Sequence, residues 1–296
     1  LAKNGIVFDT STVTNGMTIN AGGGITQVGA IRADSLLLSG TGPVTLTNAG
    51  NHVTKLAAGL SGALSYTDSG TFDIANLGNT TGINVGANTV TLNAGGTVTS
   101  LGSVSAASTG LSVTAGSVLA LPAMTIAGAQ SYTSAAGITI NANVSSTAAG
   151  AITFTGPTTL ANDLTVQSVN SAITFDGAVS GANKQLIVNA GTGAANFRGA
   201  VSNIGNAASA STVLQLTSGN ATFDSTVQTN NGVSMTGPVT FKNDVTLGSA
   251  ISNASSLFTG EVTLAKATAQ NVSAFNGLTF RNGLALQNAA ATVSAN

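Results

Sequence analysis

The side chains able to do acid–base or metal chemistry are few. They comprise nine acids (Asp9, Asp34, Asp68, Asp73, Asp163, Asp176, Asp224, Asp244 and Glu261), a single histidine, His52, and no cysteine. Clustered carboxylates would suit cleavage of a polysaccharide, either as an acid/base pair or through a bound calcium ion. Asp68 with Asp73, and Asp224 with Asp244, are the pairs whose spacing comes nearest to that need. The remaining acids fall singly, and a lone acid does not make a poised pair. A Ser-His-Asp triad would have to use His52, and no Gly-x-Ser-x-Gly elbow precedes a helix. Without cysteine there is no thiol nucleophile, thiolate metal site or disulfide framework. Calcium-binding Gly-Gly-x-Gly-x-Asp repeats are missing, since Gly22-Gly23-Gly24 lacks the following Asp. No catalytic, cofactor or metal residue is assigned on this basis.

The elements that would hold these groups are short strands. Tripeptides such as Val44-Thr45-Leu46, Val90-Thr91-Leu92, Ile138-Thr139-Ile140, Leu164-Thr165-Val166 and Val262-Thr263-Leu264 alternate with period two, apolar on one face and Thr on the other. Gly, Asn and Ser separate them too closely for crossover helices, so an α/β fold is excluded. Self-similarity then chooses among all-β architectures. Seven segments begin with Phe154, Phe175, Phe197, Phe223, Phe241, Phe258 and Phe280, mostly with Gly, Ser or Asn two residues on and an aliphatic four residues on. Averaged from Phe154 to Phe280, the interval between copies matches one coil of a solenoid. The chain is therefore predicted to be all-β, a right-handed, single-stranded parallel β-helix (β-solenoid) of about 20–22 residues per turn. Phe is expected to stack over Phe in all seven copies. The residues that follow them, Asp176, Arg198, Asp224 and Lys242, alternate in sign and are expected to neutralise one another on the outer face.

Composition narrows the function. Charged residues are 6% and the net charge is −1, so no basic field is available for nucleic acid. Apolar runs are interrupted before they reach the length of a membrane-spanning helix. The opening Leu1-Ala2-Lys3-Asn4 carries no signal-peptide pattern, and the chain reads as a segment of a larger protein. It is predicted to form one continuous β-helix over 1–296, less regular in 1–150, with the Phe-x-Gly-x-Val turns in 151–296. Absence of cysteine suits export in an unfolded state. Two tyrosines and no tryptophan leave little for an aromatic sugar-binding groove. Asn79, Asn143, Asn220, Asn253 and Asn271 fit the glycosylation acceptor pattern, much of it expected by chance in so Asn- and Ser-rich a chain.

Residues 24–74 carry a more specific signal, a succession from Gly24-Ile25-Thr26-Gln27 through Thr47-Asn48-Ala49-Gly50-Asn51 to Leu64-Ser65-Tyr66-Thr67-Asp68. This resembles repeats in large exoproteins of the filamentous haemagglutinin type, exported by two-partner secretion in Gram-negative bacteria. The resemblance implies a secreted or cell-surface, non-catalytic adhesin or structural stalk, active in attachment, aggregation or matrix and biofilm building. Implied partners are surface glycans or matrix, other copies of itself, and an outer-membrane transporter during export. The family's amino-terminal secretion domain is not in this sequence. The alternative kept open is a β-helix polysaccharide-degrading enzyme or a carbohydrate-binding module.

Overall fold

The computed structural model describes residues 6–9, 11–207, 211–251, 253–287 and 290–295; the opening Leu1-Ala2-Lys3-Asn4 lies outside them. The described residues are almost wholly strand and turn, with one 3-10 turn at Leu101–Ser103. The chain divides into two compact units, Leu1–Ala136 and Gly137–Asn296. Each is a coil of stacked parallel strands, a β-solenoid.

In the second unit every turn contributes one strand to each of three parallel sheets. The first sheet holds Ile152–Thr155, Ile173–Phe175, Ala194–Phe197, Asn220–Phe223, Val239–Phe241, Val262–Leu264 and Leu284–Leu286. Within this unit the second takes in Ile138–Ile140, Thr158–Leu160 and their successors, the third Val144–Ser146, Leu164–Gln167 and theirs. Such short strands suffice because each backbone bonds to the turns before and after it, while one apolar face is buried inside the coil. Along the first sheet, residues in register are Ile152, Ile173, Ala195, Ala221, Val239, Val262 and Leu284. Their average interval agrees with the turn length read from the phenylalanines. Turns of unequal length share this register because the extra residues leave at corners.

Phe154, Phe175, Phe197, Phe223 and Phe241 stack as predicted, with ring centroids 4.9, 5.1, 4.6 and 5.1 Å apart and rings within 20° of parallel. Phe258 and Phe280 do not continue this column. The residue in register with Phe241 is Leu264. Phe258 lies on the third sheet, paired with Met235 on one side and Phe280 on the other, and meets Phe241 edge-on across the core at 6.0 Å. The reason is that two corners share one sequence grammar. Phe258-Thr259-Gly260-Glu261-Val262 repeats Met235-Thr236-Gly237-Pro238-Val239, and a Cβ at Gly260 would lie 2.1 Å from the Gly237 carbonyl oxygen. A different corner stacks Gly177 on Gly156 just as closely, at 2.2 Å. Only glycine allows successive turns to approach like this.

In the first unit the strands are longer. Ser11–Ala21, Ile31–Gly40 and His52–Leu60 lie side by side in one sheet, followed by Phe72–Ile74 and Val98–Thr99. A second sheet stacks Ile6–Phe8, Ile25–Gln27, Val44–Leu46, Leu64–Asp68, Thr89–Ala94, Gly110–Ala115 and Ala129–Thr133. Residues in register there are Ile6, Ile25, Val44, Leu64, Val90, Leu111 and Gln130. Their intervals are nearly even except for the longer one between Leu64 and Val90. That turn carries an antiparallel ribbon of Asn76–Leu77 with Thr80–Thr81. Leu36, Leu38, Leu56 and Ile74 fill the interior, with Tyr66 packed edge-on against Phe72 at 5.2 Å.

Candidate functional site: a buried polar corner and dispersed acids

The acids that could have worked together are each engaged by partners of their own. Asp68 ends the strand Leu64–Asp68 and is buried, whereas Asp73 lies on the other sheet and is half-exposed. Asp68 Oδ2 accepts hydrogen bonds from the Val53 N–H (2.8 Å) and the Tyr66 hydroxyl (2.7 Å), and Oδ1 accepts the Gly70 N–H (2.8 Å). His52 Nδ1 stands 3.8 Å from Oδ1, outside hydrogen-bonding distance, on a side chain that is 57% exposed. This carboxylate is thus committed to holding backbone. Burial, with the adjacent Asp68 charge and hydrogen bond, pushes the Tyr66 hydroxyl far above the ordinary tyrosine range, so it stays a neutral donor. Asp73 accepts from the Thr99 and Ser100 hydroxyls at 2.7 and 2.6 Å.

In the second unit Asp176, Asp224 and Asp244 each have a basic partner of their own. Arg198 donates to Asp176 at 2.6 Å. Lys242 Nζ lies 2.8 Å from Asp224 Oδ1, a charge contact outside ideal hydrogen-bond geometry on an oxygen otherwise shielded from solvent. The alternation of sign therefore becomes two ion pairs between adjacent turns. Both are partly exposed, so each contributes no more than about 1 kcal/mol. Asp244 accepts the Asn271 N–H at 2.8 Å and Lys266 Nζ at 2.7 Å, which together hold its carboxyl below the usual carboxylate range. Because the folded pKa is the lower one, the stabilisation is present above the unfolded pKa and is lost as pH falls through the folded value. Asp244→Asn is expected to remove this pH-dependent part, up to about 1 kcal/mol for so exposed a group. Paired urea titrations near neutrality and in acid would read it as a difference between the two chains that shrinks with acidity. Among the described residues no three of His, Asp and Glu cluster as a metal would require.

What the structure does assemble is a buried polar corner in the first unit. Asn51 is fully buried. Its Oδ1 accepts the Ile31 N–H and Gln27 Nε2, both at 2.8 Å, and its Nδ2 donates to Gln27 Oε1, Leu46 O and Thr67 O at 2.9, 3.2 and 3.0 Å. One side chain so ties three successive turns. Asn48 supports it from the rim, donating to Val28 O at 2.9 Å and accepting the Gly50 N–H at 2.8 Å. The Thr47-Asn48-Ala49-Gly50-Asn51 segment is an asparagine staple for a corner without glycine stacking, and its chemistry is structural.

Residues 1–59 match a family of repeats of unknown function (DUF5649). The matched stretch contains Gln27, Asn48 and Asn51. No curated protein and no solved structure matches the chain.

Two further features concern recognition. In the second unit the outward register positions of the first sheet are Thr153, Thr174, Asn196, Thr222, Thr240 and Thr263, one per turn; Thr174 is buried and accepts a hydrogen bond from Asn196 Nδ2 at 3.3 Å, and the other five are half-buried. A cavity of about 370 Å³ opens beside the long turn that runs from Ala195 to its register partner Ala221, and its wall includes Asp163, Lys184 and Gln185. Sequence reasoning passed over this cavity, although the long interval from Phe197 to Phe223 marked an outward loop there. Both tyrosines are buried in the first unit, so neither offers a stacking surface to a sugar. The acceptor-pattern residues Asn79, Asn143, Asn220, Asn253 and Asn271 are all exposed, with Asn143 Oδ1 capping the Thr165 N–H at 2.8 Å.

Proposed function

We propose that this chain is a non-catalytic adhesive or structural segment of a secreted or cell-surface protein, which attaches cells to surfaces or to one another through repeated weak contacts. The observation that carries the reading is the set of half-buried hydroxyl and amide groups at Thr153, Asn196, Thr222, Thr240 and Thr263, in register along the first sheet. A polar group recurring on most turns of a scaffold built from stacked turns offers a similar contact several times, and weak contacts gain avidity by repetition. The few charges on the chain leave hydrogen bonding as its main surface chemistry. The likeness of residues 24–74 to filamentous haemagglutinin-type exoproteins supports a Gram-negative cell-surface setting and export through an outer-membrane transporter. Surface glycans, extracellular matrix and other copies of the chain are the partners of this reading.

The test is adhesion of beads coated with the purified chain to epithelial and bacterial cells, at graded coating densities, beside sedimentation of the free chain. Adhesion rising more steeply than coating density, or concentration-dependent self-association, is the expected result. Coated beads indistinguishable from albumin-coated ones, together with a monomer at every concentration, would overturn it. Release of new reducing ends from a polysaccharide panel would overturn the non-catalytic part and favour the enzyme alternative.

A further inference from the structure

The cavity at the long turn of the second unit has an inventory of unused hydrogen-bonding groups. Asp163 Oδ1 caps the Gln185 N–H at 2.8 Å, which leaves Oδ2 open. Gln185 Nε2 and Gln215 Nε2 both donate to Thr212 O, at 2.8 and 3.3 Å, which orients the two amides and leaves both Oε1 atoms as acceptors. Asn183 Oδ1 accepts from Asn230 Nδ2 at 2.9 Å, leaving its own Nδ2 to donate. Lys184 Nζ, unlike Lys242 and Lys266, has no carboxylate within ion-pairing distance among the described residues, although Asp163 lines the same cavity. The lining residues thus leave three acceptors and two donors without a protein partner in these bonds.

The backbone holds these groups in place. Lys184 N–H donates to Gly181 O at 2.7 Å and its carbonyl accepts the Gly205 N–H at 2.8 Å, so the residue is fixed from both sides. The tight turn between Gly181 and Lys184 places Ala182 at φ 45° and Asn183 at φ 65°. Alanine rarely adopts this left-handed conformation, and backbone strain of this kind tends to collect where a particular side chain must be presented.

We infer that this cavity binds a single pyranose unit of a glycan through Asp163, Asn183, Lys184, Gln185 and Gln215. Each sugar hydroxyl both donates and accepts, so adjacent hydroxyls satisfy a wall that mixes open acceptors with open donors, as a purely anionic or purely cationic ligand does not. A cavity of about 370 Å³ is at the lower end of the range for small-molecule sites and suits one or two rings. The carboxylate of a hexuronate would reach Lys184, while a neutral hexose would rely on Asp163 and the amides. The inference deepens the adhesive reading, on which its biological sense rests, by naming a ligand class and a place.

The test is saturation-transfer NMR on the whole chain with galactose, glucose, mannose, N-acetylglucosamine and glucuronate as probes, repeated on Asp163→Asn and Lys184→Gln. Asp163→Asn keeps an oxygen to cap the Gln185 N–H, and Lys184→Gln leaves the backbone clamp intact, so both variants should fold; circular dichroism and hydrogen exchange verify this. Binding of at least one probe in the millimolar range, weakened about tenfold or more by either variant, is expected where a hydrogen bond to a charged group is lost. Loss confined to glucuronate in Lys184→Gln identifies a hexuronate site, and equal loss for neutral sugars in Asp163→Asn identifies a hexose site. No binding by any probe, or binding unchanged in both folded variants, overturns the inference. The bead assay separates this failure from that of the adhesive reading, because adhesion undiminished in both variants while sugar binding is lost leaves the in-register polar groups of the first sheet as the adhesive surface.

Discussion

Asn51→Ala is expected to destabilise the first unit by about 3–5 kcal/mol, the range in which loss of a buried hydrogen-bond network falls. The substitution strips partners from the Ile31 N–H and from the Leu46 and Thr67 carbonyls, which lie on successive turns. An unsatisfied buried group costs about 1–3 kcal/mol, and alanine has no polar group with which to replace any of the three bonds. Gln27 loses two bonds to Asn51 but keeps those to Gly29 O and the Asn48 N–H. Asn48→Ala is the control. It removes an equally well-formed pair of bonds from the rim, where water replaces them, and should cost about 1 kcal/mol.

Because a chain with two compact units need not unfold in one step, amide hydrogen exchange is the better readout. Protection in Ile31–Gly40 and His52–Leu60 should fall by roughly two to three and a half orders of magnitude in Asn51→Ala, each order corresponding to about 1.4 kcal/mol. It should fall by about one order or less in Asn48→Ala. Equal losses would mean that burial of Asn51 is not what gives it weight, and that the corner is held mainly by the aliphatic strands beside it.

These residues also mark how far the sequence can be read. Strand positions were legible because apolar-Thr-apolar tripeptides leave one choice of inward face. The column from Phe154 to Phe241 was legible because Phe is rare and recurs once per turn. Its continuation to Phe258 was not, since an apolar residue, then Gly two positions on, then an aliphatic describes two different corners of the same turn. Alignment on Phe alone assigned to the first sheet two copies that lie on the third. Matching Met235-Thr236-Gly237 to Phe258-Thr259-Gly260 would have caught the slip, but that requires treating Met as a stand-in for Phe. Asp68 and Asp73 looked like the closest pair of acids, yet alternation turns Asp68 inward on the same face as Tyr66, two residues away. The staple role of Asn51 had no local signal at all, because its bonds reach groups on three different turns.

Phe197→Ala is expected to cost the second unit about 3–5 kcal/mol, the usual range for removing a buried phenylalanine ring. The ring sits between Phe175 at 5.1 Å and Phe223 at 4.6 Å, both within 10° of parallel, and each such pair adds about 0.5–1.5 kcal/mol beyond the area buried. Phe197→Leu separates bulk from stacking. The register position above Phe241 is already occupied by Leu264, and the next by Leu286, so the column accepts leucine as filler. Leucine at 197 should therefore recover roughly half or more of the loss, leaving about 1–2 kcal/mol that belongs to the two broken ring pairs. A double-mutant cycle between 197 and 223 is expected to show coupling, while one between 197 and 258 should be additive because those rings share neither sheet nor contact. Equal destabilisation by Ala and Leu would make ring stacking the whole effect. Since a stacked-turn fold is held chiefly by contacts between neighbouring turns, the damage should appear as lost protection in the strands Ile173–Phe175 and Asn220–Phe223 first.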